Sequence, residues 1–293
     1  MGTVVLEKLL LAGIDVLALA RPMRREHVTR RDGLGWLYGE LDDADLVGRG
    51  ARSADATIHL AARHDESMER LDSSAVKAIE KALVGSNKCF ITTSASPVYG
   101  DTGRMPRDEH EPINNPYPAR LFRLQHDRRV TGLKDRGIRG VVIRPPFVYG
   151  RSGGFLVTLI NQAIEDRVAN TIGDGLNRWS TVHVDDLADL YVRALVNQQA
   201  FGVFNAGSLD TVSMREIADG IAKTFGSEIG RSEWLEADAV RRLGVLMPMM
   251  ALEQRISSER AYQELGWRPG GTTLLEDLTM GSYRSSPLVS YSH

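Results

Sequence analysis

The chain has 293 residues, 42% of them hydrophobic, and a formal net charge of −2. That is enough apolar material for one large core, or a core with a smaller lobe, and the near-neutral balance gives no bulk attraction to nucleic acid or an anionic membrane. The single cysteine, Cys89, excludes an intrachain disulfide framework and any multi-cysteine metal site; no apolar run reaches the roughly 20 residues of a membrane span, so a reducing, cytoplasmic setting is expected.

Val4, Val5, Leu9, Leu10 and Leu11 fall at helical spacing, and Ala12-Gly13 closes that pattern. IDVLALA (14–20) is a short β-rich run, followed by the basic residues Arg21, Arg24 and Arg25. GWLYGEL (35–41) and DATIHLAA (55–62) are two more runs of buried-strand type, with room for a helical crossover between them. Residues 66–85 read as a helix, KCFITTS (88–94) as a strand, 117–135 as a helix and RGVVIR (139–144) as a strand. Cys89 sits inside one of these apolar runs and reads as a buried, inert thiol.

After Gly150 the texture changes. GGFLVTLINQAIED is helical, RWSTVHVDDLADLYVRALVN runs from a strand into a helix, and FGVFNAG is a strand. VSMREIADGIAKTF is a helix with Ser213 and Glu216 at capping-box spacing. Residues 230–270 mix helices and loops, and the segment after Tyr283 reads as frayed. Strands alternating with helices predict a doubly wound parallel sheet over 1–150, with a substrate lobe and some returning sheet elements over 151–293.

Six segments carry a resemblance. In order they are HLAA (59–62), TTSASPVYGD (92–101), RPPFVYG (144–150), GDGLNRWSTVHVDDLADLY (173–191), FNAG (204–207) and LGWRP (265–269). Together they resemble the extended short-chain dehydrogenase/reductases, the NAD-dependent epimerase/dehydratase family. The resemblance implies a Rossmann-like fold, a bound NAD or NADP, and a substrate held by the C-terminal lobe.

In that family a strand and a GxxGxxG turn precede the first helix, so that backbone amides approach the pyrophosphate at the helix N-terminus. Here Gly2 resembles the third glycine, and the strand and first two glycines have no counterpart. Loss of a central strand leaves neighbouring strands without ladder partners, each buried unpaired group costing about 1–3 kcal/mol. Three accounts stand open: a shortened gene product or start-site error, a sheet closed around the gap, or another segment such as PLVSYS (287–292) filling it.

The resemblance also places the cofactor-facing residues. Arg21, with Arg24 and Arg25, stands where an acidic residue would select NAD, and no carboxylate comes before Glu26, which favours NADP over NAD. Glu40 and Leu41 resemble the pair along the adenine. Leu60, Ala61 and Ala62 resemble the close-packed turn under the pyrophosphate, and Pro145, Phe147 and Val148 complete the set.

The family's redox signature is a Ser or Thr hydroxyl, a Tyr, and a Lys four residues later that lowers the phenol pKa from the same helix face. Tyr117 is the tyrosine candidate, 23 residues beyond Ser94, but Leu121 stands at the lysine position. Its phenol is therefore expected near the ordinary value of about 10. The position four before Tyr99 is Ala95, flanked by Ser94 and Ser96, either of which could restore the hydroxyl by a one-residue shift. On the substrate side, Tyr149, Arg178 and Trp179 are the candidates. Trp179 stands where sugar-nucleotide members carry a phosphate-binding Arg and suits a planar or apolar substrate. No metal is expected of His183, Asp185 and Asp186, which resemble a structural segment.

The sequence thus predicts an NAD(P)-dependent oxidoreductase, or a related epimerase or dehydratase, acting on a small carbonyl or hydroxyl substrate. A non-redox descendant, an isomerase, cyclase or ligand-binding pseudoenzyme with degraded motifs, is the alternative. A small-molecule ligand, a homodimer, and neither nucleic acid nor membrane are the expected partners.

Overall fold

The computed structural model describes residues 1–21, 31–63, 65–226, 229–244 and 247–284. In the first half of the chain, α1 (Gly2–Leu11), β1 (Val16–Ala20), β2 (Leu34–Tyr38), α2 (Ala44–Ser53), β3 (Ala56–His59), α3 (Met68–Leu83) and β4 (Cys89–Thr93) alternate. They are followed by α4 (Leu121–Thr131), β5 (Arg139–Arg144), β6 (Phe147–Tyr149), α5 (Phe155–Asp166), β7 (Val168–Ile172) and β8 (Arg178–His183). The remainder is α6 (Val184–Val196), β9 (Gly202–Asn205), β10 (Thr211–Ser213), α7 (Met214–Phe225), β11 (Gly230–Trp234), α8 (Glu236–Leu243), α9 (Glu259–Leu265) and α10 (Leu274–Met280). No helix among the described residues is long and apolar enough to cross a membrane.

The chain divides into two compact units. Unit one comprises Met1–Ser94, Phe122–Ile143 and Ala188–Phe204; unit two comprises Ala95–Leu121, Arg144–Leu187 and Asn205–His293. A single boundary at Gly150 does not describe this. Strands of a parallel sheet end at the same edge, so the chain leaves unit one just after β4 and again at the end of β5, and residues 95–121 and 144–150 join the C-terminal lobe.

In unit one, β3, β4 and β5 pair in parallel, Ile58 opposite Ile91 and Ile91 opposite Val141, with β9 on the far side of β5. All five residues of β4 are buried, as expected of a central strand covered on both faces. The helix α3 presents Met68, Leu71, Ala75, Val76, Ile79 and Leu83 as one buried stripe, which joins Val47, Phe90, Val130 and Val142 in the core. Gly140 is a packing requirement: a Cβ there would collide with the carbonyl oxygen of Val130 near the end of α4.

A second parallel ladder, β1 with β2, stands apart from the first: among the described residues β1 and β3 are not bonded to each other. The sheet has therefore not closed by pairing those two strands. Leu17 and Leu19 of β1 remain 46% and 39% exposed. The proposal that PLVSYS fills a gap concerns residues outside those described.

Unit two is built on β6 parallel to β8, β8 antiparallel to β10, and β7 parallel to β11. Its core gathers Phe147, Leu156, Ile160, Trp179, Ile217 and Leu278. The predicted capping box is formed, Ser213 accepting from the Glu216 amide while the Glu216 carboxylate accepts from Ser213. Two further hydrogen bonds fix the glycine turn after β6: the Gly150 amide donates to the Tyr283 hydroxyl (2.7 Å), which itself donates to the Gly153 carbonyl (2.7 Å).

Candidate functional site

Several of the residues expected to face a dinucleotide follow the carboxyl ends of parallel strands. The helix α1 starts at Gly2 with no side-chain cap; the Val4 and Val5 amides donate to the Met1 carbonyl, and those of Gly2 and Thr3 have no acceptor one turn earlier in the helix. Arg21 is exposed just past β1, Glu40 exposed and Leu41 half-buried past β2, and half-buried Leu60 leads into exposed Ala61 and Ala62 past β3. Carboxyl ends of parallel strands, small side chains and uncapped amides are the donor set a pyrophosphate and its riboses require. The residues present fit that group. Arg24, Arg25 and Glu26 lie outside the described residues. Pro145, Phe147 and Val148 belong to unit two, where Phe147 is buried with its ring edge-on to Phe155 (6.2 Å) and Trp179 (6.3 Å).

Neither serine near β4 supplies an open hydroxyl. Ser94 Oγ is buried and donates to Asp127 Oδ2 at 2.9 Å; Ser96 Oγ, fully buried, donates to Gln254 Oε1 at 2.7 Å. Between them Ala95 is extended, with φ −161 and ψ 149. A 3-10 turn, Ser96–Tyr99, begins directly after it. Tyr99 is likewise engaged, donating to Asn205 Oδ1 (3.0 Å) and accepting from Arg144 Nη1 (2.9 Å).

Tyr117 ends an extended stretch and is followed by a 3-10 turn, Pro118–Arg120, before α4 begins at Leu121. The predicted helix over 117–135 is shorter because Pro118 closes its first turn. Tyr117 is half-buried, and Leu121, at the lysine position, is 44% exposed. Burial raises the Tyr117 phenol above its ordinary value of 10, the charge of Glu236 adds to the rise, and Arg120 opposes it. The expectation of an unshifted phenol is thus corrected upward. Arg120 itself is buried, with Nη2 against Met249 Sδ at 3.8 Å.

Of the substrate candidates, Tyr149 is buried and its hydroxyl donates to the Thr272 carbonyl at 2.6 Å, its ring edge-on to His183. Arg178 points toward β10, with Nε on Thr211 Oγ1 (3.0 Å), Nη2 on the Thr211 carbonyl (2.6 Å) and Nη1 on Glu216 (3.0 Å). Both side chains are thus held by protein groups of unit two. Trp179 is different: the ring is 2% exposed, yet its Nε1 has no hydrogen-bond acceptor among the described residues. Asp185 pairs with Arg151, and Asp186 accepts from the Gly271 amide at 2.9 Å and, through its carbonyl, from Trp267 Nε1 at 2.8 Å.

Sequence reasoning missed a polar cluster inside unit one. Asp72 Oδ1 accepts from His59 Nε2 (2.8 Å) and Arg123 Nη1 (3.1 Å), and Oδ2 accepts from His126 Nδ1 (2.7 Å). Burial alone would raise the Asp72 carboxyl, but the bonds from His126 and His59 and the charge of Arg123 outweigh it and hold the group below the usual carboxylate range. Arg123 also donates to the Thr93 carbonyl, and Thr93 Oγ1 lies 2.6 Å from the Tyr191 hydroxyl. The signal was present in sequence: Asp72 and Glu80 occupy positions on the otherwise apolar stripe of α3. His126 Nε2 lies 2.9 Å from Ser73 Oγ, which reproduces the order of a hydrolytic relay. Ser73 is in mid-helix, however, where backbone amides are taken by the helix and none remains beside the hydroxyl to hold an oxyanion. The cluster is a clamp joining α3, α4 and β3.

Parallel strands alternating with helices, with small residues after the strand ends, define a Rossmann-like fold carrying a second lobe. The chain belongs to the NAD dependent epimerase/dehydratase family, whose model matches residues 1–207. An uncharacterized protein of Schizosaccharomyces pombe is 31% identical over 290 residues, covering 96% of each chain. A UDP-glucose 4-epimerase of Mycolicibacterium smegmatis is 26% identical over 296 residues, covering 92% of this chain and 90% of its own. In fold, the chain is similar to the Thermus thermophilus UDP-glucose 4-epimerase solved with NAD, at a TM-score of 0.76 and 20% identity over 98% of this chain and 96% of that one.

Proposed function

We propose that the chain is an NAD(P)-linked oxidoreductase acting on a small carbonyl or hydroxyl substrate, with Tyr117 as its proton-carrying group and carbonyl reduction as its favoured direction. The observation that carries this reading is the phenol of Tyr117, half-buried and raised by burial and Glu236. A phenol with a raised pKa is fully protonated at neutral pH, and so acts as an acid toward a carbonyl oxygen rather than as a base toward an alcohol. The family's lysine is what normally lowers that pKa, and Leu121 stands in its place. A bound nicotinamide would supply the hydride. The chain's own part is to hold the dinucleotide through Gly2, Glu40, Leu41, Leu60, Ala61 and Ala62, and to donate the Tyr117 proton.

The test is reduction of a panel of small aldehydes and ketones by NADPH and NADH. Tyr117→Phe is expected to lower turnover at least about a hundredfold while leaving fold and dinucleotide affinity intact; full activity in that variant overturns the assignment. Reduction should be level with pH up to about 10 and fall above the raised phenol value, and Leu121→Lys should move that fall to lower pH. NADPH is expected to bind more tightly than NADH, because Arg21 is exposed at the ribose end of β1 without an acid beside it in sequence; Arg21→Ala should narrow the difference.

A second reading, a non-redox descendant, is favoured by one observation: the hydroxyls of Ser94 and Ser96 both donate to protein groups. Binding of NADPH with no reduction of any carbonyl in the panel selects that reading. A cytoplasmic setting and a homodimer remain part of the proposal.

A further inference from the structure

The clamp around Asp72 reaches the cofactor-facing turn of unit one through a single peptide. His59, the last residue of β3, is buried, and Leu60, Ala61 and Ala62 follow it directly. Its ring is held by Asp72: Nε2 donates to Oδ1 at 2.8 Å, since an ionised carboxylate only accepts. Its carbonyl is held by Thr93 of β4, whose Oγ1 donates to it at 3.0 Å. That hydroxyl has one proton, so it accepts from Tyr191, whose oxygen lies 2.6 Å away and whose phenol is kept protonated by burial. Arg123 completes the frame, donating to both Asp72 and the Thr93 carbonyl.

The His59 carbonyl and the Leu60 N–H belong to one planar trans peptide and point in opposite directions. Fixing the carbonyl on Thr93 therefore fixes the direction in which Leu60 offers its N–H. The amides of Leu60, Ala61 and Ala62 have no protein acceptor among the described residues. We propose that His59, Thr93 and Asp72 are positioning residues for a dinucleotide, holding the His59–Leu60 peptide so that the turn presents its amides to the pyrophosphate oxygens. Apolar side chains of similar volume would join α3, α4 and β3 without the cost of burying charge. What the hydrogen bonds add is direction, and a ligand-facing amide depends on direction.

The inference rests on the dinucleotide part of the proposed function. Its test is binding of NADPH and NADH without substrate, followed by fluorescence titration at a temperature where each variant is folded. Thr93→Val keeps the branched shape and removes the hydroxyl. It should weaken both dinucleotides about fivefold, the worth of one neutral hydrogen bond, and leave the ratio between them as in the parent. Thr93→Ser returns the hydroxyl and should return the parent affinity. His59→Phe removes the ring donor and should weaken both by a similar factor. Gly140→Ala strains the same unit at the Val130 carbonyl and should leave both affinities unchanged. The Thr93 pair and His59→Phe each decide the question, should the other fail to fold. Parent affinity in Thr93→Val or His59→Phe, a Thr93→Ser as weak as Thr93→Val, or an equal loss in Gly140→Ala overturns the inference alone. A parent that binds neither dinucleotide overturns the cofactor reading and the inference with it.

Discussion

Asp72 is a buried carboxylate facing two histidines and an arginine. Removing its charge leaves Arg123 buried without its carboxylate, a change that typically costs 3–5 kcal/mol. Asp72→Asn should therefore lower the unfolding free energy by about that amount, read by urea denaturation at pH 7. Because the folded carboxyl lies below its unfolded value of about 3.9, its contribution is complete above that pH and is lost as pH falls toward the folded value. The gap between parent and variant should thus shrink at pH 3; a constant gap would show that the charge is not what stabilises. Cys89, by contrast, has its thiol pushed up to about 11 by burial, only partly offset by Arg139, in keeping with the inert thiol its apolar run implied. At this scale the sequence showed which residue types were in place or missing, Leu121 and Ala95 above all. It did not show where hydroxyls point: that Ser94 donates to Asp127, 33 positions on, and Ser96 to Gln254, 158 positions on, is settled by tertiary packing alone.

The alternation of elements was legible because hydrophobic period and turn residues act locally. CFITT is buried throughout in β4, the α3 stripe follows helical spacing, and the Ser213–Glu216 box closes as its spacing implied. Boundaries were less legible. The run 55–62 yields a strand only to His59, since its last residues turn outward at the sheet edge, and Pro118 delays α4 to Leu121. The contact of Gly140 with the Val130 carbonyl was invisible in sequence because it joins a strand to a helix that are packed together only after folding. Gly140→Ala should destabilise the protein by about 1–3 kcal/mol through that clash, seen as a lower urea midpoint with an unchanged slope.

For the whole molecule, the two parallel ladders of unit one should differ in how readily they open. The β1–β2 ladder has two strands and half-exposed leucines, whereas β4 is central and covered. Native-state hydrogen exchange should find the amides of 16–20 and 34–38 exchanging well before those of 89–93 and 139–143. Equal protection would mean that the ladders unfold as one body. The resemblance read from six motifs extended to the family and the fold. It did not extend to the division into units, because the strand-end loops that build the second unit carry no shared periodicity.

The way the chain passes between its two units has a consequence for its synthesis. It crosses from one unit to the other five times, at 94/95, 121/122, 143/144, 187/188 and 204/205. On a ribosome delivering residues from the N-terminus, β3, β4 and β5 are available once Arg144 has emerged, but β9, the fourth strand of their ladder, arrives only with Gly202–Asn205. Until then the β5 edge stays open while the second unit is half made, and neither unit matures before the other has begun. Such a nascent chain is a natural client for a chaperone that shields strand edges, and no single cut could release either unit as an intact piece.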